Sequence, residues 1–139
     1  VLGDTANVAS RLEGQSKTYG LPIVVGEETA KTLPEFAWLE LDLIRVIGKK
    51  QPVRIYALIG DEQVKNEQKF IEAAELQDQF LSEYRQQKWG NATDLLKTIK
   101  QSGNYDLSVL NGLYSNRIEE YKGGNLPADW DGVYSATSK

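Results

Sequence analysis

Apolar residues recur along the chain with two different periods, and the period changes near residue 60. Leucines alternate with acidic residues over residues 39–43, and in the second segment Arg54 and Tyr56 alternate with Val53, Ile55, Ala57 and Ile59. A period of two is typical of strands with one face on a core and the other face wetter. The pattern therefore predicts a β-hairpin, with residues 48–52 as its connecting turn.

Three shorter elements are predicted before the hairpin. Val8 and Leu12 lie four residues apart, which is the spacing of one helix face, so residues 6–16 are predicted to be helical. The apolar run at residues 23–25 predicts a short buried strand. Residues 27–33 predict a short helix that ends before a proline.

Beyond residue 60 the apolar residues follow the helical period of 3.6 and predict three helices. Their apolar stripes comprise Phe70, Ala73, Leu76, Phe80, Leu81 and Tyr84; Ala92, Leu95, Leu96 and Ile99; and Leu107, Leu110, Tyr114, Ile118 and Tyr121. Asp106 is predicted to cap the third helix, and Trp89 and Trp130 to hold the helical turn and the tail against the stripes. Because amphipathic helices need a partner surface, we expect them to pack on each other or on the strands.

The elements define an α+β fold in two segments. Residues 1–60 contribute a helix, a strand, a helix and the β-hairpin, and residues 61–139 form a three-helix C-terminal extension. No Pro/Ser-rich spacer separates the last strand from the helical sequence, so we expect one folded unit without a flexible tether.

The composition excludes several kinds of chemistry. The 139 residues include no Cys and no His, which removes disulfides, thiolate chemistry and imidazole bases or ligands. The net charge of −4 argues against a nucleic-acid partner, and no apolar run reaches the ~20 residues of a membrane span. Met is also absent, so the chain lacks an initiator residue, and it begins directly with Val1-Leu2-Gly3. We therefore expect it to be a piece of a longer protein.

Asn7 and Arg11 are the candidate catalytic residues. They lie four residues apart and would project from one helix stripe, beside the apolar stripe of Val8 and Leu12. A guanidinium suits phosphate oxygens and an amide suits a sugar hydroxyl, so the pair fits a phosphoryl-transfer site. On spacing alone, a solvated helix surface explains the same two residues.

Longer sequence motifs around this pair favour a phosphoryl-transfer site over a solvated helix surface. The string GDTANVASRLE at residues 3–13 precedes YGLPIVV at residues 19–25 and a Glu-Glu-Thr helix at residues 27–29. VIGK at residues 46–49 then precedes PVRIYAL at residues 52–58. In this order and spacing, the strings resemble the C-terminal half of the class III adenylate/guanylate cyclase catalytic domain, over residues 1 to about 60.

The resemblance implies a partial ferredoxin-like cyclase fold and a role for the candidate pair. Asn7 and Arg11 would stabilise the ribose and the attacked phosphate while ATP or GTP becomes a 3′,5′-cyclic nucleotide and pyrophosphate. Such an enzyme is a phosphorus–oxygen lyase in signal transduction. Its site is shared across a homodimer, and its Mg²⁺ or Mn²⁺ ions bind aspartates of the upstream half. We therefore expect no metal on this chain and no activity from it alone.

One position departs from the family pattern. Ile47 occupies the place of a lysine that contacts the triphosphate in the family, and an apolar side chain cannot replace an ammonium. Lys49 is the tentative substitute for substrate binding, although hairpin-edge charge explains it equally. The alternative function is therefore a degenerate, non-catalytic module for dimerisation or regulation. A third possibility is a helical interaction module in residues 62–139.

Two further resemblances concern the helical extension. Residues 84–96 resemble one tetratricopeptide-like helical hairpin, for which a plain helical hairpin is the simpler interpretation. Residues 117–118 and 127–133 are similar to tails that follow cyclase domains in bacterial receptors with a membrane-bound CHASE-type sensor. That similarity implies a parent anchored in the bacterial inner membrane, with an upstream sensor domain and this segment on the cytoplasmic side.

Overall fold

The structure, a computed structural model, describes residues 15–45, 51–124 and 126–135. Its elements in chain order are α1 (Gln15–Tyr19), β1 (Val24–Gly26), α2 (Glu27–Thr32), β2 (Ala37–Arg45), β3 (Val53–Gly60), α3 (Glu62–Lys65), α4 (Gln68–Arg85), α5 (Trp89–Ser102), α6 (Ser108–Lys122) and β4 (Tyr134–Ser135). Helices and an antiparallel hairpin thus follow one another as expected, and the α+β fold class is confirmed.

The strands form one four-stranded sheet in the order β1-β3-β2-β4. β2 and β3 pair antiparallel, as the alternating pattern predicted, and β1 pairs antiparallel with the other edge of β3. β4 adds two residues parallel to β2, with Tyr134 opposite Ile44. The sequence did not predict β4, because two residues are too few to show a period.

A β-bulge in β2 overturns part of the predicted alternation. Glu40 pairs with Tyr56 and Asp42 pairs with Ile55, so Leu41 is an extra residue on its strand. The extra residue changes which side chains face the core after it. Asp42, expected on the wetter face, is 1% exposed, whereas Leu43, expected in the core, is only half-buried.

The first strand also differs from its prediction. β1 was expected to be buried over residues 23–25, but it runs over Val24–Gly26 and lies at the edge of the sheet. Ile23 precedes it with 47% of its surface exposed, and Val24 is half-buried. An edge strand is covered on fewer sides than an inner strand, which accounts for the exposure.

Hydrophobic side chains of the sheet and the helices share one core. α4 and α6 contribute Phe80, Leu81, Leu110 and Ile118, and these pack with Leu39 and Ile55 of the hairpin. Burial of each such side chain stabilises the fold by about 1.5–3 kcal/mol. The expected packing of the helices on the strands is therefore observed. The division into segments 1–60 and 61–139 remains a prediction.

Aromatic rings connect the helices to the C-terminal segment. Trp89 and Trp130 lie 5.9 Å apart between ring centroids, and each contacts Tyr84 and Tyr121. The predicted placement of the two tryptophans between the helical turn and the tail is confirmed. Among the described residues, no helix combines the length and apolarity needed to cross a membrane.

Candidate functional site

The predicted site residues Asn7, Arg11, Ile47 and Lys49 lie outside the residues that the structure describes. Their roles remain predictions. The structure does describe the elements adjacent to them in sequence: α1, which overlaps the last two residues of the helix predicted over residues 6–16, and the ends of β2 and β3. The side chains that hold these elements in place therefore define the candidate site.

A buried ion pair lies where α1, β2 and α6 meet. The Arg117 Nη1 of α6 donates a hydrogen bond to Asp42 Oδ2 at 2.7 Å, and both side chains are buried. The Tyr19 hydroxyl of α1 donates to the same oxygen at 2.6 Å, and its own oxygen lies 3.5 Å from Arg117 Nη2. One carboxylate thus joins a strand to two helices.

The remaining oxygen of Asp42 is also satisfied. The backbone N–H of Leu43 donates to Asp42 Oδ1 at 2.8 Å. A buried carboxylate that accepts several hydrogen bonds and faces a cation avoids most of the cost of its burial. The bulge at Leu41 makes this possible, since it turns Asp42 toward the helices.

Two rings of tyrosine complete the environment of Arg117. The guanidinium carbon lies 3.8 Å from the ring centroid of Tyr134 in β4 and 5.2 Å from that of Tyr114 in α6. The Tyr114 hydroxyl donates to the carbonyl of Leu41 at 2.5 Å, so it satisfies a backbone group of the bulge. Cation–π contacts of this kind stabilise a desolvated guanidinium.

Burial and charge determine the protonation of this network. Burial raises the pKa of Tyr19 above its usual value, and the negative charge of Asp42 raises it further. Burial also raises the pKa of Tyr114. Burial alone lowers the pKa of Arg117, but Asp42 and the neighbouring tyrosines together outweigh this effect, so the net pKa is raised. At neutral pH the network therefore contains a guanidinium and neutral phenols.

The end of α1 makes a second close contact with α6. Gly20 follows α1 with φ at +75°, in the left-handed region that favours glycine. A Cβ atom on Gly20 would lie 2.4 Å from Cβ of Val109 at the start of α6. Only a residue without a side chain allows this approach, so the position of α1 is fixed closely against α6.

A second set of charges lies on the opposite face of the hairpin. Glu40 Oε2 accepts from Arg54 Nη1 at 2.6 Å and lies 2.8 Å from Arg85 Nη2 of α4, while Arg54 also pairs with Glu27 at 3.7 Å. Burial raises the pKa of Asp78 nearby, and the charge of Glu40 adds to the effect. These groups largely neutralise one another, which is typical of a sheet surface that helices border.

A groove of about 760 Å³ runs between α1, α6 and β4. Tyr19, Arg117 and Tyr134 form part of its wall, together with polar residues such as Gln15 and Asn116. The Tyr19 hydroxyl and Arg117 Nη1 already bind Asp42, and Arg117 Nη2 lies 3.5 Å from the Tyr19 hydroxyl.

Within residues 15–45, 51–124 and 126–135, no three potential Asp or Glu ligands for a metal ion come together.

The comparisons with known proteins gave one informative similarity. An adenylate cyclase of Anabaena cylindrica is 42% identical to this chain over 60 residues, which cover 40% of this chain and 12% of the relative. No family model matches the chain, and no solved structure matches it. The chain is thus related in part to a protein named adenylate cyclase, and it spans only a small share of that relative's length.

The sequence analysis did not identify Asp42 and Arg117 as partners. The alternation over residues 39–43 placed Asp42 on the wetter face, and the adjacent apolar residues Leu43 and Ile44 are the only local irregularity that accompanies the bulge. A signal did exist in α6: Arg117 lies three residues after Tyr114 and next to Ile118, on the helix's apolar stripe. A charged residue in that position needs a buried partner.

Proposed function

We propose that this chain is part of a class III nucleotide cyclase and supplies the Asn7 and Arg11 pair to its site. The observation that carries the proposal is the similarity over 60 residues to a protein named adenylate cyclase. The cyclase-like strings at residues 3–13 and 46–58 point to the same family. The α+β order of helix, strand, helix and hairpin agrees with that assignment.

The proposed reaction converts ATP into 3′,5′-cyclic AMP and pyrophosphate, and GTP is the alternative substrate. The 3′-oxygen forms a bond to the α-phosphorus, the bond to the pyrophosphate oxygen breaks, and the 3′-hydroxyl loses its proton. Arg11 would donate to the oxygens of the attacked phosphate, and Asn7 would hold the ribose. Lys49 would bind the triphosphate in place of Ile47.

We further propose that the metals and the second half of the site belong to the rest of a longer, dimeric protein. The implied Mg²⁺ or Mn²⁺ would compensate the charge of the triphosphate there. By the similarity of the tail, this parent is anchored in a bacterial inner membrane, with an upstream sensor and this segment on the cytoplasmic side. The 139-residue chain alone is expected to form no cyclic nucleotide.

The test compares the chain with the longer protein that contains it. With ATP or GTP and Mn²⁺, the chain alone should give no product above a buffer blank, whereas the longer protein should give cyclic nucleotide. In the longer protein, Asn7→Ala and Arg11→Ala should each lower kcat, since loss of one transition-state donor costs about 2–4 kcal/mol. Asn91→Ala and Lys97→Ala, on exposed positions of α5, are the matched controls.

The alternative function is a degenerate module for dimerisation or regulation, and Ile47 is the residue that favours it. If the longer protein forms no cyclic nucleotide, or if both site variants keep full activity, the catalytic proposal is wrong. Turnover by the 139-residue chain alone would contradict the proposal that the site needs a second half.

A further inference from the structure

The C-terminal part of the chain is attached to the sheet and to α1 at several separate points. Arg117 binds Asp42 of β2 and lies within 3.5 Å of the Tyr19 hydroxyl of α1. β4 pairs with the last two residues of β2, and Arg45 at that end lies 3.3 Å from Asp131. We call residues 108–135 the C-terminal brace.

The two elements that the brace holds are those that lead to the predicted site residues. Tyr19 follows Arg11 by eight residues, and the helix predicted over residues 6–16 overlaps the start of α1. Arg45, the last residue of β2, precedes Lys49 of the predicted turn by four residues. Both proposed substrate-contacting segments therefore start from points fixed by the brace.

We propose that Arg117 is a positioning residue, which fixes α1 relative to β2 so that Asn7, Arg11 and Lys49 meet one substrate. This inference rests on the proposed function. Arg117 acts through Asp42 and Tyr19, which belong to the two elements. Hydrogen bonds to a fork-shaped guanidinium have a fixed direction, whereas apolar side chains alone allow helices to slide.

The size of the expected effect follows from geometry. Displacement of a catalytic group by about 1 Å can lower a rate about 100-fold, even when the substituted residue is remote from the chemistry. Arg117→Met removes the guanidinium donors to Asp42 and Tyr19 but keeps much of the side-chain length, and the donors from Tyr19 and Leu43 to Asp42 stay in place. In the longer protein, we expect it to lower kcat about 10- to 100-fold and to change KM less than about twofold.

Arg117→Lys provides a second, milder variant. A lysine keeps the positive charge near Asp42 but cannot bind the carboxylate and the Tyr19 hydroxyl with two arms. Its kcat should therefore lie between those of the wild type and Arg117→Met. If Arg117→Met fails to fold, Arg117→Lys carries the test by itself.

A control must separate positioning from simple loss of stability. Leu96→Ala creates a cavity on α5, in the core but away from α1 and β2. Kinetics of the variants are compared under conditions where far-UV circular dichroism shows both to be folded. Leu96→Ala should keep kcat within about twofold of the wild type once the unfolded fraction is corrected.

Amide hydrogen exchange on the 139-residue chain gives a readout independent of activity. Peptides covering residues 15–21 should exchange at least about fivefold faster in Arg117→Met than in Leu96→Ala when the two variants have the same denaturant midpoint. Equal exchange in the two variants would contradict the positioning role of Arg117. An equal loss of kcat in the two variants would contradict it as well.

The outcomes distinguish this inference from the proposed function. If Asn7→Ala abolishes activity but Arg117→Met and Arg117→Lys leave kcat unchanged, the positioning role is wrong and the cyclase proposal stands. If the longer protein has no cyclase activity, the proposed function falls, and with it the catalytic part of this inference. The exchange rates at residues 15–21 then decide whether Arg117 fixes α1.

Discussion

Removal of either partner of the Asp42–Arg117 pair should strongly destabilise the chain. Both side chains are buried, with side-chain exposures of 1% and 8%, and they are joined at 2.7 Å. Arg117→Met leaves a buried carboxylate without its cation, and Asp42→Asn leaves a buried guanidinium without its anion. Loss of one partner of a buried pair typically costs about 3–5 kcal/mol. That is a large share of the 5–15 kcal/mol by which a domain is stable.

The double variant separates the pair from its individual residues. Arg117→Met with Asp42→Asn contains no unpaired buried charge, so it should be less destabilised than the sum of the single variants. We expect a coupling energy of about 2–3 kcal/mol. The assay is urea unfolding at pH 7, followed by circular dichroism, with the slope m compared across variants to check two-state behaviour.

An exposed pair in the same chain offers a matched control. Arg45 and Asp131 lie 3.3 Å apart, with side-chain exposures of 34% and 55%. The same substitutions there, Arg45→Met and Asp131→Asn, should give a coupling of at most about 1 kcal/mol. Salt at 0.5 M should weaken that coupling and leave the buried pair largely unchanged. The reasoning is refuted if Arg117→Met costs no more than Arg45→Met.

Two further predictions concern pH and the hairpin turn. Because burial raises the pKa values of Tyr19 and Tyr114, the unfolded chain loses these protons first, so their contribution to stability is complete below pH 10 and is lost above it. The free energy of unfolding, measured by urea titration at pH 9, 10 and 11, should fall by up to about 1.4 kcal/mol per pH unit per tyrosine, and an unchanged pH dependence in Tyr114→Phe would contradict this. In the longer protein, Ile47→Lys should raise kcat/KM if a triphosphate contact is missing. If Lys49 already makes that contact, Ile47→Lys should have little effect and Lys49→Ala should lower kcat/KM. If neither substitution changes kcat/KM, the hairpin turn does not contact the triphosphate.

Hydrophobic periodicity was sufficient for the helices and the hairpin. The stripe from Phe70 to Tyr84 predicted α4, because an 18-residue helix repeats its pattern several times. Short elements gave less information. α3 has four residues and β4 has two, so neither shows a period, and their positions depend on contacts with distant parts of the chain.

The wrong predictions for Asp42 and Leu43 in β2 have a different origin. The sequence LELDL at residues 39–43 alternates regularly, and only the adjacent apolar residues Leu43 and Ile44 break the pattern, which does not show that Leu41 is an extra residue in the ladder. Distant groups stabilise the bulge: Tyr114 binds the carbonyl of Leu41, and Arg117 binds Asp42. The interactions join residues more than 70 positions apart, which single-sequence patterns cannot connect. The predicted site residues lie outside the described part of the chain, so the sequence remains their basis.

The shared core bears on the third hypothesis, a helical interaction module in residues 62–139. Such a module would bind a partner through the apolar faces of its helices. In α4 and α6 those faces are already occupied, since Phe80 and Leu110 pack in one core with the hairpin. A partner that used them would have to displace the sheet and break the Asp42–Arg117 pair, whose loss we expect to cost several kcal/mol. If the helices instead hold α1 and β2 in place, their apolar faces stay packed on the sheet and the Asp42–Arg117 pair stays intact. We therefore favour this role over an independent binding module.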